Sequence, residues 1–327
     1  MLSLKYLFTN EDLAKMVLNN WEFDPESIEM FKYYRISANA IYPFQIKGYT
    51  HLLRFAPTSE KSKENILAEL DFISYLRKEG YGVLESVASR DQRELLELQT
   101  PWGEYYASVF KRVSGVQLNQ TDFSDDIVFN YGKALGKLHQ LSSVYIPSEN
   151  MRWSYRDVLR WIQDVLIDFP EETAALKEAG LLQEYFAATP ITERNFGLIH
   201  YDFEYDNVFY DKESSSCNVI DFDDAMYHWY AMDIEQALNS LKDCMEPNLL
   251  EDKKKCFMDG YLTEYDISEE DAAIVPACRR FANVYGYTRK LRSMAEKWDH
   301  EPEWLLQLRE RLKESLEENS LEFGRQI

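Results

Sequence analysis

The 327-residue sequence predicts an α+β chain in two unequal parts, a small antiparallel β region with one long helix followed by a larger, mainly helical region. Three observations support this fold class. Strand-like runs fill residues 28–57 and 83–113, residues 62–78 between them repeat apolar side chains at helical spacing, and helical spacing dominates after about residue 115. Ser114-Gly115 marks the boundary, so we predict one domain over 1–114 and a second over 115–327.

The composition narrows the class of protein. A hydrophobic content of 45% with 14% aromatic residues indicates a folded core. No apolar run approaches the ~18 residues of a membrane helix, and the N-terminus becomes acidic too early for a secretory signal, so we expect a cytoplasmic protein without a membrane partner. The formal charge of −21 argues against nucleic-acid binding. It is compatible with a cationic small-molecule partner and equally with a merely acidic surface.

The N-terminal elements follow from caps, turns and periodicity. Asn10 is placed to cap a short amphipathic helix, and Ser62 opens the long helix over 62–78. Lys47-Gly48 predicts a hairpin turn between two strands. The predicted strands cover residues 30–37, 40–46, 49–57, 82–89, 94–100 and 104–115.

The remainder of the chain reads as helices with apolar stripes. Phe169-Pro170 separates two of them, and Pro276 is expected to bend another that Ser268 caps. The predicted helices cover 124–141, two segments within 155–188, then 229–241, 247–264, 268–296 and 301–318. The basic residues between 279 and 292 are interpreted as a salt-bridged helix face.

The stretch from Leu198 to Ala225 carries the densest chemical signal. Short apolar strands at 197–199, 208–210 and 217–220 alternate with polar loops. Asp202 and Asn207 occupy the first loop, and Asp221 ends the last strand. This order predicts a hairpin-like β unit that brings these three side chains together.

These three residue types suit phosphoryl transfer. A carboxylate orients the acceptor hydroxyl, while Mg²⁺ on the nucleotide phosphates takes hard oxygen ligands. We therefore predict Asp202 as the catalytic residue, with Asn207 and Asp221 as the metal ligands. The spacing H-x-D-x-x-x-x-N followed by I-D-F-D is typical of a kinase catalytic loop and metal loop. The flanking strands argue against the alternative of a solvated acidic loop.

This pattern resembles the aminoglycoside phosphotransferase and choline kinase-like superfamily, whose signature is H-G-D-x-H-x-x-N followed by a strand ending in I-D-F/W. Tyr201 stands in place of the usual glycine and Glu204 in place of a second histidine. The resemblance implies a two-lobed protein-kinase-like fold. Residues 1–114 would form the nucleotide-binding lobe, and residues 115–327 would form the catalytic and acceptor-binding lobe.

The resemblance also assigns residues to the nucleotide. Arg54, at the end of a strand, would pair with the α- and β-phosphates and with a helix glutamate. Glu69 is the candidate for that glutamate, and Glu64 is its competitor because sequence does not fix the helix register. Asp233 would support the catalytic loop, with helix-dipole stabilisation as the alternative.

Two further segments complete the expected nucleotide site. The loop that contains Ser37 and Asn39 would lie over the phosphates, although it has no glycine. The adenine would lie against Phe110 to Val113, where the lobes join.

The sequence thus predicts an Mg²⁺-dependent small-molecule O-phosphotransferase that uses ATP or GTP. A cationic acceptor such as an aminoglycoside would meet the carboxylates near the loop, which are Glu204, Asp206, Asp223, Asp224 and Glu235. Homoserine, choline, a sugar or a fructosamine-type amine are alternative acceptors. Asp223 is either a second metal contact or an acceptor contact. A non-catalytic nucleotide-binding protein on the kinase fold is the alternative from another class.

Overall fold

A computed structural model describes residues 1–326 and shows a small lobe built on a six-stranded sheet. The strand order is β1-β2-β3-β6-β4, with β5 also paired to β6, and the pairs are antiparallel. The elements of this lobe are, in chain order, α1 (Glu11–Leu18), β1 (Arg35–Ile36), β2 (Ala40–Ile46), β3 (Tyr49–Pro57), α2 (Lys63–Lys78), β4 (Glu85–Ser86), β5 (Leu96–Thr100) and β6 (Gly103–Lys111).

Turn and cap residues explain the β2–β3 hairpin and helix α2. Lys47 and Gly48 join β2 to β3 with φ of 52° and 79°, the conformation that a two-residue hairpin turn requires. The Ser62 side chain accepts a hydrogen bond from the Asn65 amide at 3.3 Å and caps α2, one residue before the first helical residue. The β2–β3 hairpin carries Arg54, and α2 carries Glu69, which pairs with Arg54.

The first predicted strand is largely wrong. Residues 25–33 form a 3₁₀ helix, and only Arg35–Ile36 pairs with β2. Pro25 sits at the first helical position, and the Ser27 hydroxyl donates to the Asp24 carbonyl at 2.6 Å, so the chain turns locally instead of extending. The predicted strand over 82–89 likewise shortens to Glu85–Ser86.

The large lobe is mainly helical and carries two small sheets. Strand β9 pairs with β10 and β7, and β8 pairs with β11. Its elements are β7 (Val116–Gln117), α3 (Asp125–Ser142), α4 (Tyr155–Leu166), α5 (Thr173–Ala188), β8 (Phe196–Ile199), β9 (Val208–Asp211), β10 (Ser216–Val219), β11 (Met226–Trp229), α6 (Ala231–Ser240), α7 (Leu250–Tyr261), α8 (Glu269–Ala272), α9 (Val275–Ser293) and α10 (Glu303–Ser320).

The predicted three-strand unit is divided between these two sheets. Strands β9 and β10 form the expected hairpin, but β8 pairs with β11, a strand that the sequence reading missed. The two sheets still meet at the loop ends, because Nε2 of His200, which follows β8, lies 2.9 Å from the carbonyl oxygen of Ile220, which follows β10. The expected proximity of the loops therefore arises from a different pairing.

The expected long helix over 268–296 is two helices. Ser268 caps the short α8 through a capping box with Asp271, and Pro276 lies in the first turn of α9 instead of bending a continuous helix. The expected salt-bridged face is present on α9, where Arg280 pairs with Glu178 and Arg289 pairs with Asp224, each at 2.6 Å.

The largest apolar core extends across the lobe boundary. Phe72 and Leu76 of α2 are buried in one cluster with Leu138 of α3 and Phe222. A second core lies within the helical lobe, and a third lies beneath the small-lobe sheet. Over the 326 described residues, each helix is too short or too polar to cross a membrane.

Candidate active site

A buried aspartate anchors the loop that follows β8. The two carboxylate oxygens of Asp233 accept the backbone amides of His200 and Tyr201 at 2.8 and 2.7 Å. His139 contacts the same carboxylate at 3.2 Å and is buried. Tyr201 has a φ of 69°, which explains why the superfamily pattern has glycine at this position.

Asp202 and Asn207 are joined directly. The Asn207 side-chain amide donates to the Asp202 carboxylate at 2.8 Å and to the Asp202 carbonyl at 2.9 Å. Because Nδ2 faces Asp202, Oδ1 of Asn207 is left for a cation. Burial, and then the neighbouring charge of Asp224, raise the pKa of Asp202 above its usual range.

Asp221 follows β10 with a φ of 65°, is exposed to solvent, and lines the same cavity as Arg54 and Asn207. Its limited hydration and the nearby Asp223 raise its pKa to about 7, against the opposing effect of Arg54. A carboxyl group in this state is readily stabilised as the anion by an added cation.

The structure identifies the helix partner of Arg54 as Glu69. Two guanidinium nitrogens donate to the two Glu69 oxygens at 2.7 and 2.9 Å, and both side chains are buried. Glu64 is exposed and bonds to Ser62 instead. The centre of the Phe110 ring lies 4.7 Å from the Arg54 guanidinium carbon, and this cation–π contact helps to position the arginine.

Most of the residues that the sequence predicts to bind the nucleotide line one cavity of about 140 Å³, the first cavity. They are Ser37, Asn39, Arg54, Phe110, Asn207 and Asp221. Glu69 and Asp202 adjoin this cavity through their hydrogen bonds to Arg54 and Asn207. Val113 does not line the first cavity and instead lines a separate one with Lys111 and Ser114.

The apolar wall of the first cavity comes from residues that the sequence reading did not select. They are Ile41, Leu52, Leu84 and Ile220. Ile220 was detectable because it directly precedes Asp221 in the motif. The others lie on separate small-lobe segments, and nothing in the local pattern marks them.

A second cavity of about 310 Å³ is lined by residues 223–225 of the loop that begins at Asp221, called the metal loop after the role that the sequence predicts for Asp221. Lys61 pairs with Asp223, and Arg289 pairs with Asp224 at 2.6 Å. Arg152 donates to the carbonyls of Asp223 and Ala225, each at 2.6 Å. The loop is therefore fixed by three cations that the sequence reading did not connect with it.

This arrangement changes the interpretation of the carboxylates near the loop. Asp223, Asp224 and Glu235 each pair with a basic side chain of the protein, Glu235 with Arg279. Glu204 is different, because burial and the charges of Asp202 and Asp206 raise its pKa to about 7. Only part of the expected acidic surface is thus left to bind an ammonium group.

The donor set fits a divalent cation with few protein ligands. Within the described chain, no group of three or more His, Cys, Asp or Glu side chains is arranged to hold a metal. Asn207 and Asp221 supply one amide and one carboxylate to the same cavity. Mg²⁺ commonly binds through one or two such oxygens together with phosphates and water.

Comparison with known proteins identifies the family. The profile of the phosphotransferase enzyme family matches residues 39–255, about two thirds of the chain. The chain belongs to this family. This phosphotransferase is thus an enzyme of the protein-kinase-like small-molecule kinases, and its α+β fold is the one that the sequence predicts.

Two relatives in sequence cover most of this phosphotransferase. Amicoumacin kinase of Bacillus subtilis (strain 168) is 20% identical over 317 residues, which is 92% of this chain and 91% of the relative. An uncharacterized protein of a Synechocystis species is 24% identical over 259 residues, or 76% of this chain and 70% of that protein.

Solved structures share the fold at low identity. An amicoumacin kinase in complex with AMP-PNP, Ca²⁺ and Ami superposes with a TM-score of 0.75, at 19% identity, over 96% of this chain and 95% of the other. A microcompartment-associated aminopropanol kinase gives 0.67, at 20% identity, over 95% and 99%. A spectinomycin phosphotransferase in complex with ADP and spectinomycin gives 0.59, at 12% identity, over 95% of each chain.

Proposed function

We propose that this phosphotransferase transfers the γ-phosphoryl group of ATP or GTP, with Mg²⁺, to a hydroxyl group of a small molecule. The observation that carries the proposal is the direct hydrogen bond between Asp202 and Asn207, beside a cavity that also contains Asp221 and the Arg54–Glu69 pair. The complexes of structural neighbours with AMP-PNP and Ca²⁺ and with ADP support a nucleotide and a divalent cation as cofactors.

In the proposed reaction, the bond between the γ-phosphorus and the β–γ bridging oxygen breaks as the hydroxyl oxygen bonds to that phosphorus. The hydroxyl proton passes to Asp202, and the products are a nucleoside diphosphate and a phosphate ester. Bound Mg²⁺ would supply positive charge for the phosphate oxygens. Asp202 orients the hydroxyl group, and its raised pKa favours acceptance of the proton.

The proposed metal ligands are Asn207 Oδ1 and the Asp221 carboxylate. The hydrogen bond from Asn207 Nδ2 to Asp202 holds the metal-binding amide and the proposed proton acceptor in one fixed relation. Such positioning is the main contribution of a protein to phosphoryl transfer. Ile220, whose amide bonds to Asn207, links the hairpin end to the same loop.

The proposed phosphate grip is Arg54, with Ser37 and Asn39 above the phosphates. Glu69 fixes the guanidinium through two charge-assisted bonds, so little side-chain freedom is lost when the nucleotide binds. The surface for the base would then be the apolar wall of the first cavity together with Phe110.

The acceptor is a hydroxyl-bearing small molecule. The named substrates of the related enzymes, amicoumacin, spectinomycin and aminopropanol, all belong to this coarse class, and so do the metabolite alternatives. The acidic composition alone supports a cationic molecule, but the pairing of Asp223, Asp224 and Glu235 within the chain weakens that argument.

The test compares Asp202→Asn with the wild type. We expect turnover to fall by at least about 10³-fold, because the hydroxyl group loses its proton acceptor, while Mg²⁺–nucleotide binding changes little. Nucleotide binding is measured by thermal shift with and without Mg²⁺, and transfer is measured across a panel of amino alcohols, sugars, aminoglycosides and hydroxyl-bearing carboxylic acids. Glu213→Gln, an exposed carboxylate-to-amide change on the β9–β10 turn, is the matched control.

Two results would contradict the proposal. Full turnover by purified Asp202→Asn would remove Asp202 from the reaction. Nucleotide binding without transfer to any member of the panel would favour the non-catalytic alternative.

A further inference from the structure

We infer that the acceptor of this phosphotransferase carries an anionic group, such as a carboxylate, which Arg289 and Arg292 bind in the second cavity. The inference rests on the proposed function for the identity of the reaction. The binding itself is measurable without nucleotide, so the two can fail separately.

The second cavity is placed to receive an acceptor. Asp223 and Asp224 line it, and the charge of Asp224 acts on Asp202. Asp221, on the same loop, lines the first cavity instead. The loop of residues 221–225 thus contributes to both cavities, so an acceptor in the second one lies against the same loop that carries Asp221.

Basic groups outnumber acidic groups in this cavity. Its basic side chains are Lys61, Arg152, Arg289 and Arg292, and its acidic side chains are Glu60, Asp223 and Asp224. Arg152 donates only to carbonyl groups, at Asn65, Asp223 and Ala225, so its charge has no carboxylate partner in the described chain. The whole chain is strongly acidic, but this cavity is not.

The cation is the more accessible partner in two of the three ion pairs of this cavity. The side chain of Arg292 is 29% exposed against 5% for Glu60, and that of Lys61 is 18% exposed against 8% for Asp223. In the third pair, Arg289 and Asp224 are equally exposed, at 21% and 22%. An ammonium group would have to displace Lys61 or Arg292 from a buried carboxylate, or Arg289 from Asp224, before it found a partner.

The guanidinium groups of Arg289 and Arg292 each have an N–H group that donates no hydrogen bond within residues 1–326. Arg289 donates to Asp224 through Nη1, and no other acceptor bonds to its guanidinium within residues 1–326. Arg292 uses Nη2 for Glu60 and the Met1 carbonyl, which leaves Nη1 without a hydrogen bond in that part of the chain. Planar guanidinium donors match a carboxylate better than a point charge does.

The aromatic walls do not form a cage for a cation. The Arg289 guanidinium carbon lies 5.1 Å from the centre of the Tyr285 ring, and that of Arg292 lies 6.0 Å from the centre of the Trp161 ring. These ring faces already interact with the protein's own cations, so they are not free for a quaternary ammonium group. The apolar body of an acceptor would instead contact Ile66 and Val158, which line the same cavity.

The test uses three probes that share a phenyl ring and a hydroxyl group. They are 3-phenyllactate, its carboxamide 3-phenyllactamide, and the ammonium analogue 1-amino-3-phenylpropan-2-ol, titrated into the full-length protein and followed by ligand-observed NMR. We expect the carboxylate to bind at least about 10-fold more tightly than the other two, as for a charge-assisted hydrogen bond. Equal affinities, tightest binding of the ammonium probe, or no saturable binding of the carboxylate would overturn the inference.

Variants assign the binding to this cavity. Arg292→Gln is expected to weaken carboxylate binding about 10-fold and leave the carboxamide unchanged, and Arg292→Lys is expected to retain part of the difference. Arg194→Gln, which removes an exposed arginine of a surface pair, is the control. Unchanged carboxylate binding in folded Arg292→Gln would refute the site. If that variant does not fold, the three probes on the wild type decide.

The outcomes separate this inference from the proposed function. Phosphoryl transfer to a polycationic aminoglycoside, with no preference for the carboxylate probe, would leave the proposed function intact and refute the inference. Carboxylate selectivity in a protein that does not bind nucleotide would do the reverse.

Discussion

Tyr201 combines a left-handed backbone with a large buried side chain. Its φ of 69° is held by hydrogen bonds from the amides of His200 and Tyr201 to Asp233. The ring packs against Tyr285 and Phe281, at centroid distances of 5.5 and 6.4 Å. Two terms of opposite sign therefore act at one residue, backbone strain of about 1 kcal/mol and the packing of an aromatic ring.

Their magnitudes predict the effect of restoring the glycine of the superfamily pattern. Removal of a buried aromatic side chain costs about 3–5 kcal/mol, so Tyr201→Gly should lower the free energy of unfolding by about 2–4 kcal/mol despite relief of strain. Lys47→Gly, at an exposed turn residue with φ of 52°, is the control and should be neutral or slightly stabilising. Urea denaturation measures both. A Tyr201→Gly variant as stable as the wild type would show that relief of strain offsets the lost packing in full.

His228 is a buried base with one unpaired nitrogen. Its Nδ1 accepts the Trp229 amide at 2.9 Å, while Nε2 is buried without a partner in residues 1–326. Burial lowers its pKa from 6.5 to about 3. Below pH 6.5 the unfolded chain takes up a proton at this residue that the folded chain excludes, so stability falls with falling pH down to about pH 3.

The expected contribution is about 1.4 kcal/mol per pH unit in this window. His228→Asn keeps an acceptor for Trp229 and removes the titrating group, so its stability should fall less than that of the wild type between pH 6.5 and 5. Denaturant unfolding at the two pH values measures the difference. Parallel losses in the two proteins would show that His228 does not contribute.

At the scale of elements, helices α3 and α7 pack backbone to backbone. A Cβ atom built on Gly132 would lie 1.8 Å from the Phe257 carbonyl oxygen, and one on Gly260 would lie 2.0 Å from that of Phe129. Neither position can hold a side chain without separating the helices. This pair of helices supports the β8 side of the catalytic loop, since Tyr131 of α3 donates to the Phe203 carbonyl at 2.6 Å.

Gly132→Ala should therefore destabilise the protein by more than about 1 kcal/mol, although alanine is the better helix former by about that amount. Gly180→Ala in α5 has no atom within 4 Å of the added Cβ and should stabilise the protein by about 0.5–1 kcal/mol. Thermal unfolding of the two variants checks the contrast. Changes of the same sign in both variants would contradict the close packing of α3 against α7.

Helices that begin at a recognisable capping residue were predictable from the sequence. Asn10 accepts the Leu13 amide and caps α1, and Ser62 caps α2, both at the expected residues. The errors arise where tertiary pairing decides. The aromatic run of residues 30–37 has a high strand propensity, but residues 30–33 belong to the 3₁₀ helix that begins at Pro25, and β11 is recognisable only by its partner β8.

The candidate site divides in the same way. Asp202, Asn207 and Asp221 lie within 20 residues of one another, so a local motif predicts their meeting. The Arg54–Glu69 pair needed the helix register, which the packing of α2 supplies. Lys61, Arg152 and Arg289 reach the metal loop from three distant segments, and no spacing rule connects them.

At the scale of the whole molecule, the two lobes are joined in several places. Besides the chain connection near residue 114, Lys61 and Asn65 of the small lobe contact the metal loop and Arg152, and Glu60 pairs with Arg292. Phe72 of α2 packs in the apolar core shared by both lobes. Side chains from the sheet lobe and the helical lobe therefore depend on one another for burial.

A shared core predicts cooperative loss of structure. Phe72 is fully buried, with its ring centre 4.8 Å from that of Tyr145 and 5.9 Å from that of Phe222. Phe72→Ala should lower the free energy of unfolding by about 3–5 kcal/mol and reduce amide protection equally in β3, β6, α3 and α7, as native-state hydrogen exchange measures. Leu176→Ala, at an exposed position on α5, is the control. Protection lost only in β3 and β6 would mean that the lobes unfold independently and that α2 belongs energetically to the small lobe alone.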